Sequence, residues 1–153
     1  MDDLDDLAFR FFKLFAQYEY SLKAMGYGAA GRNGQAEHDW DRFANSIGSR
    51  IMAVNDEAIA DARKYILDQP PKRQVWSNGA VQWEAVPNGD RSSQALFGHI
   101  RRVRNNLYHG GKFNGRWIDP DRSRELIGKS LLLLETLVPL DSGLNEAIHQ
   151  NAA

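Results

Sequence analysis

Over residues 3–25 an apolar side chain returns every third or fourth position: Leu4, Leu7, Phe11, Phe15, Tyr18, Leu22 and Met25. At 3.6 residues per turn these positions draw one stripe along a helix, and such a stripe has to be buried against other elements. Phe12 and Leu14 widen it. The early aspartates suit the positive end of the helix dipole, and Gly26 and Gly28 mark the stop. Residues 26–35 carry four glycines and no periodicity, which predicts a loop.

The same reasoning continues down the chain. Asp39 can cap a helix bearing Trp40, Phe43, Ile47 and Ile51. Asn55 predicts another cap, with Asp56 and Glu57 in the first turn and Ala58, Ile59, Ala62, Tyr65 and Ile66 behind it. Pro70 and Pro71 end that stretch. The spacing leaves open whether these are two helices or one bent helix. Val75, Trp76, Val81 and Trp83 flank Asn78-Gly79, the pair a type I′ turn prefers, and predict a small β-hairpin. Ser92 or Ser93 opens a helix with Leu96, Ile100, Val103 and Leu107 on its apolar face, and Gly110-Gly111 closes it. Asp119-Pro120 starts the last long helix, which carries Leu126, Ile127, Leu131, Leu134 and Leu137 and stops before Pro139. Residues 145–150 are expected as a short turn or frayed tail. The expected fold is all-α: a single domain over residues 1–153, a bundle of four or five helices with a small β-hairpin insertion.

The chain has no cysteine, which excludes disulfides, thiolate catalysis and Cys-ligated zinc. His38, His99, His109 and His149 are scattered and form no H-x-x-x-H pair, so neither a metal nor another cofactor is expected. The N-terminus is acidic and the longest apolar run is residues 131–134, so no membrane span is expected and the location is expected to be cytoplasmic. A net charge of −1 gives no global pull toward nucleic acid; any such contact needs a local basic patch.

That patch is residues 101–112, Arg-Arg-Val-Arg-Asn-Asn-Leu-Tyr-His-Gly-Gly-Lys. At about 100° per residue, Ile100, Val103 and Leu107 face the core, while Arg102, Asn105 and His109 share the opposite side and Arg104 sits at the edge. These residue types suit cleavage of an RNA phosphodiester. An imidazole titrating near neutral pH can take the proton of a ribose 2′-OH or protonate the leaving oxygen. A guanidinium offers permanent donors to the phosphate as charge builds, and a carboxamide can orient either group.

Arg104-Asn105-Asn106-Leu107-Tyr108-His109 matches the Arg-x4-His motif of HEPN domains, in the form where a polar residue follows the arginine. The chain resembles the HEPN branch found among bacterial toxin and defence proteins. The likeness extends to Gly110-Gly111-Lys112, to a long first helix with Glu19-Tyr20-Ser21-Leu22-Lys23, and to Pro70-Pro71-Lys72-Arg73-Gln74-Val75. The resemblance implies a helical bundle that forms a homodimer with two motif helices at one cleft. It also implies a metal-independent endoribonuclease acting on RNA, with an antitoxin or another protein as a further partner. Arg104 would stabilise the phosphate, His109 would act as acid or base, and Asn105 would support them. Arg101, Arg102, Tyr108, Lys112, Glu19 and Lys23 are the candidates for substrate binding. Where one toxin branch reads His-x-Tyr, with the tyrosine a modification target, this chain has Gly111. Arg104 and His109 also differ by about 140° on an ideal wheel, so serving one phosphate needs helix distortion or pairing across a two-fold axis.

Each residue also has a plainer reading. His109 can bond the last helical carbonyls, Arg104 can form a structural ion pair, Arg101 and Arg102 can be a solvated face, and Glu19 with Lys23 can be a surface i,i+4 pair. Trp40, Trp76, Trp83 and Trp117 could stack bases, but large aromatics are more often core or interface residues, and none is assigned to the site. The rival to the enzyme is a non-catalytic helical dimer that binds RNA, a nucleotide or a partner protein.

Overall fold

A computed structural model describes residues 3–109 and 117–150. The first stripe forms helix α1 (Asp3–Ala24), with Leu4, Phe11, Phe15, Tyr18 and Leu22 buried. It packs along α5 (Pro120–Leu137), whose Leu126, Ile127, Leu131, Leu134 and Leu137 are buried in turn. Asp119 caps α5 by accepting from the Arg122 N–H, and Pro120 is its first residue. At the seam between the two helices the Tyr18 hydroxyl donates to the Leu134 carbonyl over 2.5 Å. Burial pushes the Tyr18 phenol well above its ordinary pKa, because a phenolate there would lose its hydration.

Gly26 turns the chain with φ +89, in the left-handed region that glycine enters without strain. The expected loop after it contains a second hairpin, in which β1 (Gly28–Ala30) pairs antiparallel with β2 (Ala36–His38). Strands of three residues are too short for an alternating pattern to register. Asp39 then caps α2 (Trp40–Asn45). That helix does not continue to Ile51. It breaks at Ser46 and tightens into the 3-10 segment Ile47–Ala53, where a Cβ on Gly48 would come within 2.9 Å of the Phe97 ring. Asp56, one residue later than expected, caps α3 (Glu57–Asp68): its carboxylate accepts from both the Ala58 and Ile59 N–H groups. The two stretches are therefore separate helices.

β3 (Arg73–Ser77) and β4 (Ala80–Glu84) form the expected hairpin, with positive φ at both Asn78 and Gly79 as a type I′ turn requires. Ser92 caps α4 (Ser93–Tyr108), which buries Leu96, Phe97, Ile100 and Val103. The expected frayed tail is instead a helix, α6 (Ser142–Gln150). The Asp141 carboxylate accepts from the Leu144 N–H at its start, and Leu144 and Ile148 are buried beside α1. Among the described residues there are thus six α-helices and two hairpins around one apolar core, and no helix is long and apolar enough to cross a membrane.

Tyr18→Phe removes one buried hydrogen bond without opening a cavity. It is expected to lower stability by about 1 kcal/mol, read as a lower urea midpoint at an unchanged slope.

Candidate functional site

The buried side chains of α4 set its roll about its own axis. With Leu96, Phe97, Ile100 and Val103 inside, the remaining positions divide between two flanks. One flank faces β3. There Arg102, Asn105 and Asn106 of α4 and His109 just after it, with Arg73 and Gln74 of β3, line an open pocket of about 350 Å3. The other flank faces α1. There the Arg104 guanidinium lies 5.6 Å from the centre of the Phe15 ring and 4.6 Å from that of Tyr108. Arg101 lies 6.0 Å from the Trp40 ring, away from the pocket.

Asn105 stands between the two flanks. Its side-chain oxygen accepts from Arg104 Nη1 over 3.1 Å while the residue lines the His109 pocket. Its backbone carbonyl accepts the His109 N–H over 3.0 Å, which makes His109 the capping residue after the last helical turn. Arg104 does not line the pocket that His109 lines, in keeping with the five-residue step between them. Tyr108 is 62% exposed and sits edge-on to the His109 ring at 5.2 Å, with the Phe12 ring 6.4 Å away.

Among the described residues one charge on the pocket wall has no ion-pair partner. Arg102 is half-buried, its Nε is buried without a hydrogen-bond partner, and no ion pair forms on it among the described residues. Burial first, and then the neighbouring Arg73, depress its pKa, yet a guanidinium stays protonated at any ordinary pH. Arg73 itself is paired with Glu84, its Nε and Nη2 donating to one carboxylate oxygen over 2.8 and 2.6 Å. An anion entering beside Arg102 would gain a charge-assisted partner in a site already partly stripped of water. Three residues before it, His99 is buried with Nε2 unpartnered. Burial, and secondarily Arg102, lower its pKa against a weaker opposing pull from Asp90, which favours a neutral imidazole.

Asn106 is the residue that joins the two halves of the site. It is buried, and its side-chain amide donates to the Lys72 carbonyl over 2.9 Å, tying the root of the β3–β4 hairpin to the motif helix. Asn106, Arg73 and Gln74 escaped assignment from the sequence, because no local spacing links β3 to α4. Glu19 does not pair with Lys23 as its spacing suggested. Its carboxylate accepts from Trp40 Nε1 over 3.1 Å and lies 2.6 Å from His38 Nε2, since a buried indole N–H requires an acceptor. Lys23 is exposed, and neither it nor Glu19 lines the His109 pocket. Lys112 and the Gly110-Gly111 stop lie outside the described residues. Among the described residues no group of three or more His, Asp or Glu could hold a metal ion.

Arg102→Met keeps the apolar stem and removes the charge. In phosphate-free buffer the variant is expected to unfold at the same or higher urea concentration than the wild type. Inorganic phosphate at about ten times its dissociation constant should stabilise the wild type by about 1.4 kcal/mol more than the variant. Because the fold lowers the His99 pKa, the unfolded chain takes up a proton near pH 6.5 that the folded one takes up only at lower pH. The contribution of His99 is therefore complete above that pH and shrinks as pH falls toward its lowered folded pKa. His99→Gln should flatten this part of a stability–pH profile.

No protein-family model matches the chain, and no curated protein or solved structure matches it.

Proposed function

We propose that the chain is a metal-independent endoribonuclease of the HEPN type, working as a homodimer and serving as the effector of a bacterial toxin or defence pair. One observation carries the catalytic part: an imidazole, a carboxamide and an unneutralised guanidinium line a single open pocket, as His109, Asn105 and Arg102. The Arg-x4-His motif supplies the dimer and the biological setting. Cleavage proceeds by transfer of the ribose 2′-OH proton to His109. The 2′ oxygen then bonds to phosphorus, the bond to the 5′ oxygen breaks, and that oxygen leaves with a proton from solvent. The products are a 2′,3′-cyclic phosphate and a 5′-hydroxyl. Arg102 neutralises the phosphate as it enters, and Asn105 positions it. Arg104 comes from the second copy, since within one chain it stands about 140° around the helix from His109.

A second reading is favoured by the contacts of Arg104, whose guanidinium is occupied by Asn105 and the Phe15 and Tyr108 rings. On that reading the chain binds RNA, a nucleotide or a protein as a helical dimer without cutting.

The test is incubation of mixed RNAs in chelator. The wild type should release fragments ending in cyclic phosphate. His109→Ala should cut about two to four orders of magnitude more slowly while keeping the helical circular dichroism of the parent. Mixing His109→Ala with Arg104→Ala should restore about a quarter of wild-type activity, because half of the dimers are mixed and each has one intact composite site. Equal cleavage by wild type and His109→Ala would reject the assignment, and binding without any cleavage would favour the second reading.

A further inference from the structure

We propose that the β3–β4 hairpin is the arm that selects single-stranded RNA for the His109 pocket, with Trp76 as the platform on which a base stacks. The inference rests on the reading of that pocket as an RNA site and names the substrate class it takes. Its starting point is exposure. Trp76 is 73% exposed, and every residue of β4 is open to solvent. Trp40, by contrast, is buried at the centre of the core.

The direction of the exposed face makes this informative. Side chains alternate along a strand, so Trp76 shares a face with Gln74. The register pairs Gln74 with Trp83 and Trp76 with Val81, which puts all four on that face. Gln74 lines the His109 pocket. One face therefore runs from the pocket out to Trp76, about 7 Å further along β3. It carries no acidic residue; Glu84 lies on the opposite face, paired with Arg73.

The chemistry along this path changes from cationic to aromatic. At the pocket end Arg102 meets a phosphate, and at the outer end an indole offers a flat surface. A single strand presents both features in that order, a charged backbone and bases with unpaired faces. A duplex keeps its bases stacked on one another and cannot lay one on Trp76. An apolar protein partner or a second copy seated on the hairpin would cover the tryptophan but leave Arg102 without an anion. The hairpin is also held at a fixed place relative to His109: the Asn106 to Lys72 hydrogen bond anchors its root, the Arg73–Glu84 pair joins its strands, and the type I′ turn closes its tip. A two-stranded hairpin without such ties would be marginal.

The experiment measures binding in a background that cannot cut. Full-length His109→Ala is titrated, in chelator, into a fluorescein-labelled single-stranded oligoribonucleotide and into the same sequence annealed as a duplex. The single strand should bind more tightly and quench tryptophan fluorescence. Adding Trp76→Ala should weaken single-strand binding by roughly 5- to 150-fold and leave duplex binding unchanged. Adding Trp76→Phe instead should recover most of the loss, which a merely structural defect would not predict. Unchanged binding on adding Trp76→Ala, tighter binding of the duplex, or no binding of either RNA overturns the inference. So does conversion of a dimer to a monomer by Trp76→Ala, which would assign the face to a second copy. Binding that depends on Trp76 in a protein whose wild type cuts nothing would keep this inference while removing the enzymatic reading. Cleavage indifferent to Trp76 would do the reverse.

Discussion

Three helices meet at one group of rings. Trp40 at the start of α2 lies 5.2 Å from Phe15 of α1 and 6.2 Å from Phe97 of α4, and Phe43 closes the group at 5.7 Å from Phe97. The Trp40 N–H finds its acceptor in Glu19, so the cluster is satisfied as well as packed. Gly48 lets the chain after α2 close onto Phe97 from the other side. With Phe97 and Ile100 held inside, α4 has no freedom to roll. Its outward residues are thereby committed, Arg102, Asn105 and His109 toward β3 and Arg104 toward α1.

That commitment has an electrostatic consequence. Elsewhere several arginines find carboxylates, Arg10 with Glu135, Arg50 with Asp141, Arg91 with Asp68 and Arg124 with Asp3, while Arg63 and Arg122 donate to backbone carbonyls. The well-exposed pairs, such as Arg10 with Glu135, contribute little to stability. They do show what Arg102 lacks. A half-buried guanidinium with a second arginine nearby and no ion pair among the described residues costs the fold some free energy. Proteins commonly carry such local instability where they bind, because a fully satisfied site has nothing left to offer a ligand.

Local chemistry explains why much of this was legible in advance. A helical stripe, a capping aspartate or an Asn-Gly turn depends on side chains within a few residues of one another. α1, α3, α4, α5, the Asp39 and Asp119 caps and the β3–β4 turn follow from such signals, whereas the choice between Ser92 and Ser93 does not. The cap expected at Asn55 falls one residue later, because the Asp56 carboxylate reaches two backbone amides. The β1–β2 hairpin and α6 were illegible for different reasons. The strands are too short to show a period, and α6 is held by the burial of Leu144 and Ile148 near the opposite end of the chain.

The site divides along the same line. By itself the sequence determined that Arg102, Asn105 and His109 share one side of a helix and that Arg104 stands apart from them, because steps of three and four residues return to one face and a step of five does not. Only the tertiary structure decided what that face meets. Arg73 and Gln74 arrive from a hairpin, Asn106 anchors it, and Glu19 turns from Lys23 to Trp40 and His38. The helix repeat acts over a single turn and is written in spacing. The partners of a face come from burying the whole apolar surface at once, and no short stretch of residues carries that information.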